Sequence, residues 1–174
     1  GHSRSISALE EYVFNGKQYL ASASYDRTIK LWDMTNNTLA ATLTGHTNVV
    51  VALVLYVHNG IQMLASGSYD KTIKLWDVSN NTCAHTLTGH TFVIHALAVY
   101  ENDDDTILIS SSYDITIKLW NLNTHSIITT LLGHSSGVTC LAVYNHDGKA
   151  YIASGSRDRT IKIWSLDNHA LKRT

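Results

Sequence analysis

An all-β array, four copies of one antiparallel sheet, is the fold class this sequence predicts, and three periodic series predict it. Aspartates fall at Asp26, Asp70, Asp114 and Asp158, and tryptophans at Trp32, Trp76, Trp120 and Trp164. Gly-His pairs fall at Gly1-His2, Gly45-His46, Gly89-His90 and Gly133-His134. Every series advances by 44 residues without slippage. One structural unit has been copied four times, and its period belongs to the repeat architectures.

Each unit carries four strand signals. The first follows Gly-His; in the second unit it is Val49 to Tyr56, an almost wholly apolar run that suits a strand covered on both faces. Its counterparts are Ser5 to Tyr12, Val93 to Tyr100 and Gly137 to Tyr144. A hairpin follows, because Asn15-Gly16, Asn59-Gly60 and Asp147-Gly148 are dipeptides that tolerate positive φ at both central positions of a type I′ turn. The third unit has Asp103-Asp104-Asp105 instead; with Glu101 this cluster matches no EF-hand spacing and reads as a solvated turn. The second strand is Met63 to Ser68 and the third Thr72 to Trp76, joined through Tyr69-Asp70-Lys71, with Thr, Ile and Trp as strong β formers. Polar pairs make the next turn (Asn36-Asn37, Asn80-Asn81, Thr124-His125, Asn168-His169), and a fourth strand follows, as in Leu39 to Leu43 or Ile127 to Leu131. Four antiparallel strands, repeated, give the blade of a propeller.

These residues resemble the WD-repeat β-propeller family. The resemblance rests on the Gly-His pair, the turn Asp and the strand-ending Trp32-Asp33 and Trp76-Asp77, four times in register. It covers the whole chain, read as one region, 1–174, with blades at approximately 1–44, 45–88, 89–132 and 133–174. Trp120-Asn121 and Trp164-Ser165 depart from the pattern at an Asp whose loss the family tolerates.

Twelve of the 44 positions are identical in all four units; in the second they are Gly45, His46, Leu53, Tyr56, Ser66, Ser68, Asp70, Thr72, Ile73, Lys74, Trp76 and Thr86. Such positions serve the blade itself, and function belongs where the copies differ. A recurring His, Ser and Asp suggest a catalytic triad, but four equivalent sites argue for structure, and no catalytic residue is assigned. The resemblance implies instead a hydrogen-bonded chain inside each blade: His2, Ser22, Asp26 and Trp32; His46, Ser66, Asp70 and Trp76; His90, Ser110, Asp114 and Trp120; His134, Ser154, Asp158 and Trp164. Ser68 lies on the same strand face as Ser66, and the sequence leaves open which of the two completes the chain.

The resemblance also implies a partner face, the narrow one. Three positions per blade point there: Ser5, Ser7 and Tyr25; Val49, Val51 and Tyr69; Val93, His95 and Tyr113; Gly137, Thr139 and Arg157. Tyr and Arg are enriched in binding hot spots. A ring of phenols suits a Lys, Arg or apolar side chain, with cation–π attraction of about 0.5–2 kcal/mol. The alternative is that the three tyrosines pack against neighbouring blades.

Composition narrows the rest. Hydrophobic residues make up 44% of the chain and charged residues only 16%, so much of each blade should be covered. The formal net charge of −1 and the lack of a basic stripe give no footprint for nucleic acid, and no apolar run approaches membrane-spanning length. Cys83 and Cys140 occupy unlike repeat positions, so they read as reduced thiols of a cytoplasmic protein rather than a disulfide framework. Of ten histidines, His58, His85, His95, His125, His146 and His169 are scattered without zinc-finger spacing, and no metal or cofactor is expected.

Four blades of this type sweep about half a circle. Gly1 is already the Gly of Gly-His and Thr174 aligns with Thr42, Thr86 and Thr130, so no spare strand is expected to lock the first blade to the last. An open half-ring exposes two apolar faces, and two chains placed head to tail would close it as an eight-bladed homodimer. A strained four-bladed monomer, other assemblies and a fragment of a larger array are the alternatives. The expected function is a non-enzymatic scaffold for protein or peptide segments. A structural or self-assembling module ranks second, and an enzyme with a pocket in the central channel well behind.

Overall fold

The computed structural model describes residues 1–102 and 106–174; the turn expected at Asp103-Asp104-Asp105 lies outside the described residues. Among the described residues sixteen strands form four separate four-stranded meanders. The first sheet is β1 (Ile6–Phe14), β2 (Lys17–Ser24), β3 (Ile29–Asp33) and β4 (Thr38–Leu43); the second is β5 (Val50–His58), β6 (Ile61–Ser68), β7 (Ile73–Asp77) and β8 (Thr82–Leu87). The third comprises β9 (Ile94–Glu101), β10 (Thr106–Ser112), β11 (Ile117–Asn121) and β12 (Ser126–Leu131), and the fourth β13 (Val138–His146), β14 (Lys149–Ser156), β15 (Ile161–Ser165) and β16 (Leu171–Arg173). All pairs are antiparallel. The chain is thus all-β, four blades of a propeller. Among the described residues no helix is long and apolar enough to cross a membrane.

Strand bounds differ from the sequence reading for local reasons. Asn15 and Gly16, Asn59 and Gly60, and Asp147 and Gly148 all take positive φ, so each hairpin closes in two residues. Pairing therefore continues past the tyrosine to Phe14↔Lys17, His58↔Ile61 and His146↔Lys149. The third strand starts at Ile73 rather than Thr72, because Asp70 Oδ1 accepts both the N–H and the hydroxyl of Thr72 and holds it in the turn.

Sheets stack through three cores, each made by the forward face of one blade and the rear face of the next. Tyr12, Ala21, Ala23, Ile29, Leu31 and Leu43 of the first meet Val50, Leu53, Leu64, Trp76 and Val78 of the second. The same positions recur at the other two junctions, as with Ile73 and Leu75 against Leu108 and Trp120, or Ile117 and Leu119 against Ile152 and Trp164. At about 25 cal/mol per Å² of apolar surface, this stacking is the main force ordering blades that have no core of their own. Among the described residues the two outer faces meet no such neighbour. Ile6, Leu9 and Val13 stand more than half exposed on the first blade, as does Ile161 on the fourth.

Antiparallel connectivity gives each blade two unlike ends. At one end lie the Gly-His segment before the first strand and the turn between second and third strands, joined by Tyr69 N–H donating to the Val49 carbonyl and its equivalents. At the other lie the first hairpin and the turn before the fourth strand.

Candidate functional site

In the second blade the imidazole of His46 bridges Asp70 (Nδ1 to Oδ2, 2.7 Å) and Ser66 (Nε2 to Oγ, 2.7 Å). Trp76 Nε1–H donates to the same hydroxyl at 2.8 Å. One tautomer satisfies every atom: Nδ1–H donates to the carboxylate, Nε2 accepts the Ser66 hydroxyl, and that oxygen accepts the indole N–H. The other blades repeat the geometry: His2 with Asp26 and Ser22, His90 with Asp114 and Ser110, His134 with Asp158 and Ser154, completed by Trp32, Trp120 and Trp164.

Ser68 has another task. Its oxygen accepts Asp70 N–H at 3.0 Å and its hydroxyl donates to the Val49 carbonyl at 2.8 Å, which pins the turn to the start of the inner strand. Sequence reading missed Thr72 and its copies as partners of the Asp, although their fourfold identity was the signal. It also gave no role to Lys74 and Thr86, whose ammonium and hydroxyl meet at 2.9 Å across the two outer strands. Burial alone would push the four carboxyls up; donation from the Thr hydroxyls, the imidazoles and backbone amides outweighs it and holds all four far below the usual carboxylate range. With both carboxylate oxygens and both imidazole nitrogens engaged, each array is a satisfied polar network, which rigidifies its blade.

The variable positions gather at the same end. Tyr25, Tyr69, Tyr113 and Arg157 each donate their backbone N–H to Ser5, Val49, Val93 and Gly137 respectively, at 2.9–3.0 Å. A hollow of about 370 Å³ opens among Ser5, Ile6, Ser7, Tyr25, Val51, Tyr69 and His95. Val49, Val93, Tyr113, Thr139 and Arg157 lie outside its walls. The Thr139 hydroxyl faces the Gly155 carbonyl at 3.4 Å, and the Ser7 hydroxyl donates to the Val50 carbonyl of the next blade.

Side chains join across blades. His95 lies between Tyr69 (ring centroids 5.7 Å apart) and Tyr113 (4.2 Å), and the Arg157 guanidinium sits 4.5 Å over the Tyr113 ring. Gly137 makes this possible: a Cβ there would fall 2.3 Å from the Tyr113 ring. Burial, with neighbouring Tyr25 and Tyr113, raises the Tyr69 phenol, against the pull of Arg157. Burial and then Arg157 lower His95. Both groups are thereby kept neutral. Phe92, half exposed and stacked 6.4 Å from Tyr113, is a further rim residue that the sequence did not single out.

Among the described residues no group of three or more His, Cys, Asp or Glu is placed to hold a metal ion. Comparison with protein families matches a model described as WD domain, G-beta repeat, to four consecutive segments: residues 1–33, 37–77, 81–121 and 125–165. Comparison with curated proteins finds no match.

Proposed function

The chain belongs to the WD-repeat family, whose repeats generally mediate protein interactions without carrying chemistry, and from that premise we propose a non-enzymatic scaffold. It binds protein or peptide segments at the end of the blades where Tyr25, Tyr69, Tyr113 and Arg157 stand. The observation that carries this reading is the division of labour at that end. The fourfold polar residues are engaged with one another inside the blades, whereas Ser5, Ser7, Tyr25, Val51, Tyr69 and His95, from the positions that vary, line an open hollow beside them. Two free cysteines, Cys83 and Cys140, fit a cytoplasmic protein. The partner is protein rather than nucleic acid or membrane.

The test is a peptide array probed with the parent chain and with the triple variant Tyr25→Ala, Tyr69→Ala, Tyr113→Ala. Loss of about 30-fold in affinity, the ~2 kcal/mol of one hot-spot residue, is the expected result. Unchanged affinity for the selected peptides would exclude the rim as the site.

A second reading, self-assembly, draws on the end faces. Ile6, Leu9, Leu20, Trp32 and Met34 border an apolar groove of about 350 Å³ on the first blade. They correspond one for one to Val50, Leu53, Leu64, Trp76 and Val78, which pack on the preceding blade. At the far end Tyr144, Tyr151, Ile161 and Ile163 correspond to Tyr12, Tyr19, Ile29 and Leu31. A second copy docking head to tail would repeat a junction the chain already makes three times, and two such junctions would close an eight-bladed ring. Native mass spectrometry is expected to show two 19.2 kDa chains together; a monomer at micromolar concentration would end this reading.

A further inference from the structure

We propose that the rim hollow receives an acidic segment, an Asp or Glu carboxylate of a protein partner held between the tyrosine hydroxyls with its charge toward Arg157; this rests on the scaffold reading above. Three independent features point the same way.

The first is charge segregation. Arg4, Arg27, Lys71, Arg157 and Arg159 lie at the end that carries the Gly-His segments and the turns between second and third strands. The acids at this end are Asp26, Asp70, Asp114 and Asp158, whose oxygens are engaged inside the blades. Asp33, Asp77, Glu101, Asp147 and Asp167 lie toward the opposite end. A chain of net charge −1 therefore presents a basic end, the same end on which the hollow opens.

The second is the state of Arg157. Phenol rings alone would suit a cationic side chain, but the Tyr113 face already carries this guanidinium at 4.5 Å. An incoming Lys or Arg would meet repulsion where it needed attraction. Among the described residues Arg157 forms no ion pair, so its side-chain donors remain open to a planar, acceptor-only group.

The third is the hydrogen-bond inventory. Among the described residues nothing engages the hydroxyls of Tyr25, Tyr69 or Tyr113, and His95 Nε2 is buried without a partner. A phenol O–H donates and a carboxylate only accepts, so the two sets match. The size of the hollow, about 370 Å³, fits one or two side chains, and its walls hold no Arg or Lys, unlike the basic groove that tracks a nucleic-acid backbone.

The experiment measures fluorescence anisotropy of labelled peptides of equal length: one rich in Asp and Glu, its Asn/Gln counterpart, and one rich in Lys and Arg, beside a single-stranded oligonucleotide. The acidic peptide is expected to bind about tenfold or more tighter than its amide counterpart, and Arg157→Gln to remove most of that difference. Arg157→Lys should restore part of it, and Lys172→Gln, on the outermost strand, none should be lost. Equal binding of the acidic and amide peptides overturns the proposal, as does an oligonucleotide that binds as tightly as the acidic peptide. If array peptides without acidic residues bind and depend on the three tyrosines, the scaffold reading stands and this inference falls. If no peptide binds at all, both fall.

Discussion

Trp120→Ala is expected to lower the free energy of unfolding by about 3–5 kcal/mol, the range for removing a large aromatic from a packed interior. Trp120 is 2% exposed, wedged between its own blade and the forward face of the second, beside Tyr56, Met63, Ile73 and Leu75. Its ring also lies against the Gly89 backbone, where even a Cβ would come within 3.2 Å of the indole. Truncation opens a void at the junction, and the Ser110 hydroxyl loses the indole N–H it accepts at 2.8 Å. Trp32→Ala removes the same side chain and the same hydrogen bond from the first blade, where the rear face has no neighbour. Its loss should be about 1–2 kcal/mol in a monomer, since a half-open site has less to collapse. Urea denaturation of both variants at equal chain concentration separates the two contributions. Equal losses in a dilute monomer would show that the hydrogen-bonded chain, not blade stacking, dominates. A Trp32→Ala loss that grows with concentration would report a second copy covering that face.

Much of this was legible because the four units act as an alignment of the chain with itself. Asn59-Gly60 announces its hairpin by local chemistry, and the 44-residue step locates equivalent strands before any coordinate is known. What stayed hidden depends on distances that period-two patterning does not carry. Ser66 and Ser68 point to the same side and are identical in every copy, so only the reach of Trp76 Nε1 and His46 Nε2 separates them. The stacking of Arg157, Tyr113 and His95 was further from view. It joins residues of different blades and depends on Gly137, which stands where the other units have Ser5, Val49 and Val93. That glycine was visible in the sequence as an exception; its meaning, room for a neighbouring ring, required the blade-to-blade spacing.

Asp70→Ala is expected to cost about 3–5 kcal/mol, because one carboxylate satisfies four donors that the blade cannot redirect. Oδ2 accepts His46 Nδ1–H at 2.7 Å and the Thr47 amide at 3.0 Å; Oδ1 accepts the Thr72 amide at 3.0 Å and its hydroxyl at 2.7 Å. Asp70→Asn is the more informative change. It keeps the shape and one acceptor for Thr72 but turns an N–H₂ toward His46 and takes the acceptor from the exposed Thr47 amide, which water can satisfy instead. The imidazole must then accept at Nδ1 and carry its proton on Nε2, facing a Ser66 oxygen that already accepts from Trp76. Ser66 can still turn its own proton to the Lys74 carbonyl, 3.5 Å away, so the chain reverses instead of breaking, at an expected cost of about 1–3 kcal/mol. Acid titration gives a second readout. Burial raises Asp70, but the donors of His46 and Thr72 more than reverse this and hold it far below its unfolded value. Such a group contributes stability above the unfolded carboxylate value, about pH 4, and loses it as pH falls toward the folded one. The parent chain, with four depressed aspartates, should therefore weaken steeply below about pH 4, and Asp70→Asn should show a shallower slope there, since one proton-binding difference is gone. Parallel slopes for parent and variant would mean that this carboxylate is not held by the blade in the way its four hydrogen bonds require.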